Sequence, residues 1–262
     1  MKKQKKRNVI IVLTLINVFY SCGIFKGEKV SAVSPDKSIM ETKFSSPIYS
    51  VEEISFVNES GTKLSGTLFR SNDSKIAIVF AHSFVRGQDQ SGLFPLAKEL
   101  AELGITSLTF DFPGYGKTGG PPKYNKVDVD VKGAINLLRG LGYSKIASMG
   151  VGLGGLGSAK NAKELVGLIT ISIPTNAMGD LFVEKKDFNI PYPKLFIAAR
   201  DDFGNNRPFA EYAHTLHDLS VEPRKLIIFS GRYHSMALFK SEHREELHDL
   251  IIDFFKALNK MH

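Results

Sequence analysis

Three segments of this 262-residue sequence carry residue types that could act on a bound molecule. Gly150-Val151-Gly152-Leu153-Gly154-Gly155 follows the apolar run at 146–149. Arg200-Asp201-Asp202 follows a second apolar run at 194–199. Ser230-Gly231-Arg232-Tyr233-His234 follows a third at 225–229. In chain order this is a glycine turn, an acid and a histidine. It is the order in which a nucleophile elbow G-x-S-x-G, its acid and its histidine follow one another. Two earlier segments sit at comparable places: Ala81-His82-Ser83-Phe84 after the run at 76–80, and Asp111-Phe112-Pro113-Gly114-Tyr115-Gly116-Lys117-Thr118 after the run at 105–110. One cysteine in the whole chain excludes a disulfide scaffold and any cysteine-rich zinc or iron–sulfur site, and no metal is expected.

The elements that must position these segments follow from periodicity. Residues 51–57 and 63–69 read as strands joined by the turn Asn58-Glu59-Ser60-Gly61, an opening antiparallel hairpin. Residues 76–80 form a short, wholly apolar run, as in a buried central strand. Further strands are predicted at 105–110, 146–149, 168–173, 194–199 and 225–229. Helices are predicted at 93–103, 127–141, near 158–165, at 207–219 and at 243–258. Such alternation demands an α/β fold with a mostly parallel central sheet and helices on both faces. In sheets of this kind ligands bind outside the carboxyl ends of the strands, where the chemically suggestive segments lie.

With its glycine turn, acid and histidine in that order, together with His82-Ser83 and the Asp111–Thr118 segment, the chain resembles the α/β-hydrolase family. It is nearest to the small bacterial serine esterase or peptidase-like branch, over about residues 51–260. His82-Ser83 stands where the family has His-Gly, and Asp111 to Thr118 matches its D-x-x-G-x-G-x-S/T pattern. The departure is at Gly152, where the family carries its nucleophilic serine. Glycine accepts the strained backbone of such a turn easily, so the substitution keeps the turn and deletes the attacking atom. The resemblance implies that His234 is a general base oriented by Asp202, with Asp201 as second choice. It implies an oxyanion hole from the backbone N–H groups of Phe84 and Leu153, and a supporting role for His82 in its loop. Ser148, in a faint S-x-G, is the alternative nucleophile. No pattern places a general base for Ser83. The segment 174–193, where the family often carries a lid, is too short for a large helical cap. A shallow, open site is therefore expected, with Phe182, Phe188 and Tyr192 as possible lining.

The functional expectation is a hydrolase-fold protein with little or no serine-hydrolase turnover, binding a small ester, acyl or peptide-like molecule. The alternative is a working hydrolase of ester or amide bonds, using water or another serine. A third reading comes from Gly152-x-Gly154-x-x-Gly157, which has the spacing of a dinucleotide fingerprint. That fingerprint normally opens the first βαβ unit and wants an acid at the end of the next strand; here about five strands precede it and no acid comes before Asp180. Gly116-Lys117-Thr118 mimics the end of a phosphate-binding loop, but Asp111 occupies the place of its first glycine. No cofactor is expected.

The N-terminus reads as an address. A basic run, Lys2 to Arg7, precedes a roughly 12-residue apolar run, too short to span a bilayer as a helix. Phe19-Tyr20-Ser21-Cys22 then resembles a bacterial lipobox, which implies a signal peptide at 1–21, lipidation of Cys22 and anchoring of the mature chain to a membrane at the cell envelope. A plain signal peptide is the alternative. Residues 22–50 read as a flexible tether and 51–262 as the folded domain. The formal net charge is +7, of which Lys2, Lys3, Lys5, Lys6 and Arg7 supply +5, leaving about +2 for the remainder. Nucleic acid is therefore not an expected partner.

Overall fold

The computed structural model describes residues 49–72, 74–176, 181–204 and 207–261. The apolar N-terminal run and Cys22 lie outside them, as does nearly all of the expected tether. Among the described residues no helix is long and apolar enough to cross a membrane.

Strands β1 (Tyr49–Val57) and β2 (Lys63–Ser71) form the opening antiparallel hairpin. β1 starts two residues inside the segment read as tether. The remaining main strands are β3 (Ala77–Ala81), β4 (Thr106–Asp111), β5 (Ile146–Val151), β6 (Leu168–Ile171), β7 (Lys194–Ala199) and β10 (Arg224–Phe229). The short pair β8 (Phe203–Gly204) and β9 (Arg207–Pro208) lies between the last two and forms its own two-stranded sheet. The eight-stranded sheet has the order β1-β2-β4-β3-β5-β6-β7-β10. It is antiparallel as far as the β2–β4 pair and parallel beyond. From β3 the chain crosses first to β4 on one side and later to β5 on the other. That reversal opens a crevice beyond the carboxyl ends of β3 and β5.

The helices are α1 (Phe94–Glu102), α2 (Val127–Gly140), α3 (Leu153–Lys160), α4 (Phe209–Leu219) and α5 (Arg244–Met261). The pleat sorts the sheet's side chains between two cores. Ala77, Val79 and Ala81 of β3 face a core shared with α2, α3 and α4. Ile78 and Phe80 of the same strand face a core shared with α1 and α5. Helices therefore cover both faces, as the alternation of elements demands. Gly104 and Gly142, at φ +83° and +96°, follow α1 and α2 where the sequence places their ends.

Several boundaries differ from expectation, three of them for reasons the structure shows. The helix after the glycine turn begins at Leu153, not near Ser158, and ends at Lys160. Its glycines have poor intrinsic helix propensity, but backbone packing demands them. A Cβ on Gly154 would overlap the carbonyl of His82, and one on Gly150 would overlap the backbone of Gly155. β6 ends at Ile171 because Ser172 leaves the strand at φ +50°. α4 starts at Phe209, since Arg207 and Pro208 pair with β8 instead.

Candidate functional site

Gly152 sits between β5 and α3 at φ +56°, ψ −129°, a conformation that L side chains rarely adopt. Its N–H donates to Ile171 O at 2.9 Å, and its carbonyl accepts from the N–H groups of Gly155 and Leu156 at 3.0 and 3.2 Å. The turn is thus fixed by backbone bonds alone. A Cβ built on Gly152 would lie 2.9 Å from Ser83 Oγ and 3.1 Å from Ser235 Oγ. Those two buried hydroxyls approach each other at 3.3 Å, Ser83 donating. Ser83, in the loop expected to form the oxyanion hole, and Ser235, the residue after His234, therefore crowd the place where a side chain at 152 would begin. Ser235 escaped the sequence reading. Its one signal was adjacency to His234.

The expected acid and base come from the ends of β7 and β10. His234 Nδ1 lies 2.9 and 3.0 Å from the two carboxylate oxygens of Asp202. Asp202 is buried, and its carbonyl accepts from Phe209 N–H at 2.7 Å, which ties the acid to the start of α4. The Phe209 ring packs 4.6 Å from the imidazole. The adjacent Asp201 is exposed and does not reach His234; its backbone N–H donates to Gly231 O. A carboxylate on Nδ1 selects the tautomer whose Nε2 can accept a proton, and Nε2 is the nitrogen left for the cavity.

His82 and its neighbours form a support. Its Nδ1 donates to Ser83 O at 2.7 Å, and its Nε2 accepts from Phe112 N–H at 3.2 Å. The ring is fully buried against Phe84, Phe112 and Tyr115, and burial holds its pKa below the ordinary value. The Tyr115 hydroxyl donates to Phe84 O at 2.8 Å; burial and the nearby Tyr124 push its pKa up to about 12. The Asp111–Thr118 segment is a clamp. The Asp111 carboxylate accepts from the backbone and side-chain N–H of Gln90 and from Lys117 N–H, at 2.8–2.9 Å. Thr118 Oγ1 donates back to Asp111 O at 2.7 Å.

These parts border a cavity of about 700 Å³. Ser83, Phe84, Gly152, Leu153 and His234 line it, joined by Ser172, Arg207 and Tyr212, which the sequence reading did not single out. Leu153 heads α3, so its N–H has no acceptor within the helix. Ser172 and Ser235 both hold positive φ, +50° and +54°, at a cost of about 1–3 kcal/mol each. Such strain gathers where a fold must place a group against its preference.

Other candidates lie elsewhere. Ser148 is buried within β5, its hydroxyl donating to Val79 O at 3.0 Å and meeting Ser158 Oγ at 2.8 Å. It does not border the cavity. Phe188 is buried against Phe196, Tyr192 packs on the opposite core, and Phe182 is exposed beneath Lys160. None of the three lines the cavity, because the 174–193 segment packs its aromatics inward or outward rather than over the strand ends. The described part of that segment holds a β-bridge, Asn176 to Phe182, and a single 3-10 turn at Lys185–Phe188; it carries no helical cap. Gly154 and Gly157 of the dinucleotide-like spacing press against His82 and Val127 backbone atoms. β6 runs out into Ser172-Ile173-Pro174 without an acid.

No family model matches the chain. An uncharacterised protein of Escherichia coli K12, YfhR, is 24% identical over 244 residues, covering 80% of this chain and 83% of its own length. Among solved structures, the esterase Pf2001 of Pyrococcus furiosus superposes with a TM-score of 0.66 at 18% identity, covering 80% of this chain and 93% of its own. An alpha-beta serine hydrolase homologue from Coxiella burnetii gives 0.60 at 21% identity, covering 77% and 96%. XC6422 of Xanthomonas campestris, described as an a/b serine hydrolase without lid, gives 0.61 at 15% identity, covering 80% and 95%. Together with the strand order and the elbow between β5 and α3, these likenesses show that the chain has the α/β-hydrolase fold.

Proposed function

We propose that this protein binds a small ester, acyl or peptide-like molecule in the cavity beside His234, with little or no turnover through an acyl-enzyme. One observation carries the reading: His234, paired with Asp202, lines a cavity whose elbow residue, Gly152, has no side chain. A general base needs a group to deprotonate, and residue 152 offers none. The backbone that would steady a developing oxyanion, at Leu153 and Phe84, borders the same cavity, so ligand carbonyls have a place to lie.

A fluorophosphonate probe tests this directly. The unaltered protein stays unlabelled, whereas Gly152→Ser gains a labelled serine once Ser83 Oγ rotates out of the way. Stoichiometric labelling of the unaltered protein overturns the reading. It would favour the second one, a working hydrolase whose nucleophile has moved. Ser83 and Ser235 support that alternative, since both hydroxyls lie within about 3 Å of where a Cβ on 152 would stand; loss of the label in Ser83→Ala or Ser235→Ala names the residue.

The chain's place in the cell is proposed from its N-terminus: a lipoprotein of the cell envelope, held to a membrane through Cys22. Incorporation of labelled palmitate that disappears in Cys22→Ser checks it, and palmitate-free protein in the envelope fraction rejects it.

A further inference from the structure

Arg207 stands at the cavity with its guanidinium 4.8 Å from the centre of the buried Tyr212 ring. Stacking on an aromatic face orients the planar group and leaves the edge that carries its N–H donors free to pair. Among the described residues no aspartate or glutamate lines this cavity; the Asp202 carboxylate is buried and held against His234 Nδ1. A second observation is independent of the first. Ser172 Oγ is fully buried and has no hydrogen-bond partner among the described residues, yet its residue borders the cavity on a positive-φ backbone. A buried hydroxyl without a partner is rare and calls for an acceptor or donor from outside the chain. The N-terminus of α3 opens on the same space and adds partial positive charge.

We propose that the cavity selects a carboxylate-bearing ester or acyl compound, its carboxylate paired with Arg207 and its carbonyl oxygen lying toward Ser172 and the α3 N-terminus. This rests on the reading of the cavity as a ligand site. A carboxylate suits the lining better than a phosphate. One guanidinium matches one negative charge with two parallel hydrogen bonds, and among the described residues no lysine or second arginine borders the cavity to neutralise a dianion. The flanking Phe84, Phe209 and Tyr124 suit a short apolar chain between the two polar ends.

Titration calorimetry on the full chain compares monomethyl glutarate, its neutral counterpart dimethyl glutarate, and inorganic phosphate. The monoester binds at least tenfold tighter than the diester, Arg207→Gln removes that preference, and phosphate binds more weakly than the monoester. Equal binding of the two esters, a preference that survives Arg207→Gln, or tighter binding of phosphate overturns the anion selectivity alone. Failure of both esters to bind overturns the selectivity and the ligand-site reading together.

Discussion

Two histidines leave the carboxyl ends of strands beside the cavity, and they differ in how many ring nitrogens the fold has already used. His82, after β3, has both engaged: one donates to Ser83 O and the other accepts from Phe112 N–H. It is fully buried, and its hydrogen bonds require the neutral ring with the proton on Nδ1. His234, after β10, has a 38% exposed side chain, and its Nδ1 is held by Asp202 while Nε2 is left to the cavity. The same residue type is a strut in one place and, in the other, presents a ring nitrogen to the cavity as the proposed base. The difference lies in the partner count, and residue identity does not predict it.

The comparison breaks most visibly in reactivity. In a Gly152→Ser background, His234→Ala slows fluorophosphonate labelling by roughly 10²–10⁴, the usual worth of a positioned general base. Its unfolding midpoint in urea moves little, since the ring is half-exposed. Labelling that persists unchanged would mean His234 is not the base for residue 152.

His82 should fail in the opposite way. His82→Ala leaves Ser83 O and Phe112 N–H buried without partners and opens a hole among Phe84, Phe112 and Tyr115. The expected loss is about 2–4 kcal/mol of unfolding free energy, read from urea denaturation. A loss below about 1 kcal/mol would show that the ring is not holding the two loops together.

How much of this contrast could be read from the sequence depends on chain separation. The strands were legible because runs such as Ala77–Ala81 are apolar throughout and helices stop at glycines such as Gly104. Contacts across the fold were legible only where the family resemblance implied them, as for Asp202 and His234. Ser83 and Ser235 are 152 residues apart, and no local pattern links them. The choice of Asp202 over Asp201 comes from the family's spacing and not from composition, which is silent on which neighbour points inward. Phe188 showed an aromatic in the lid segment but not the face it packs on. The start of α3 was hidden because the glycines that permit its close approach to β3 also erase its helical signature.

A smaller effect sharpens the role of the Ser83 loop that His82 holds. Adding Ser83→Gly to Gly152→Ser removes the hydroxyl that crowds a Cβ at 152. The double variant should label a few-fold faster than Gly152→Ser alone. Equal or slower labelling would mean that Ser83 turns aside freely.

The smallest effect concerns pH, because two buried groups oppose each other. Burial holds His82 below its usual 6.5, so on acidification the unfolded chain takes up a proton that the native state refuses. This contribution is present above about pH 6.5 and is lost as pH falls below it. Asp130 works the other way. Burial pushes its carboxyl up to about 6 despite the hydrogen bond from Asn58 Nδ2 at 2.6 Å, and its second oxygen has no partner. The native state therefore takes up this proton first, and stability rises as pH falls from about 6 towards 4. The unaltered protein should show a shallow melting profile across that window. Asp130→Asn exposes the histidine's slope, with melting temperature falling on acidification; His82→Gln exposes the aspartate's, with melting temperature rising. Two variants with the same slope would contradict the neutral, fully engaged His82 on which the contrast with His234 stands.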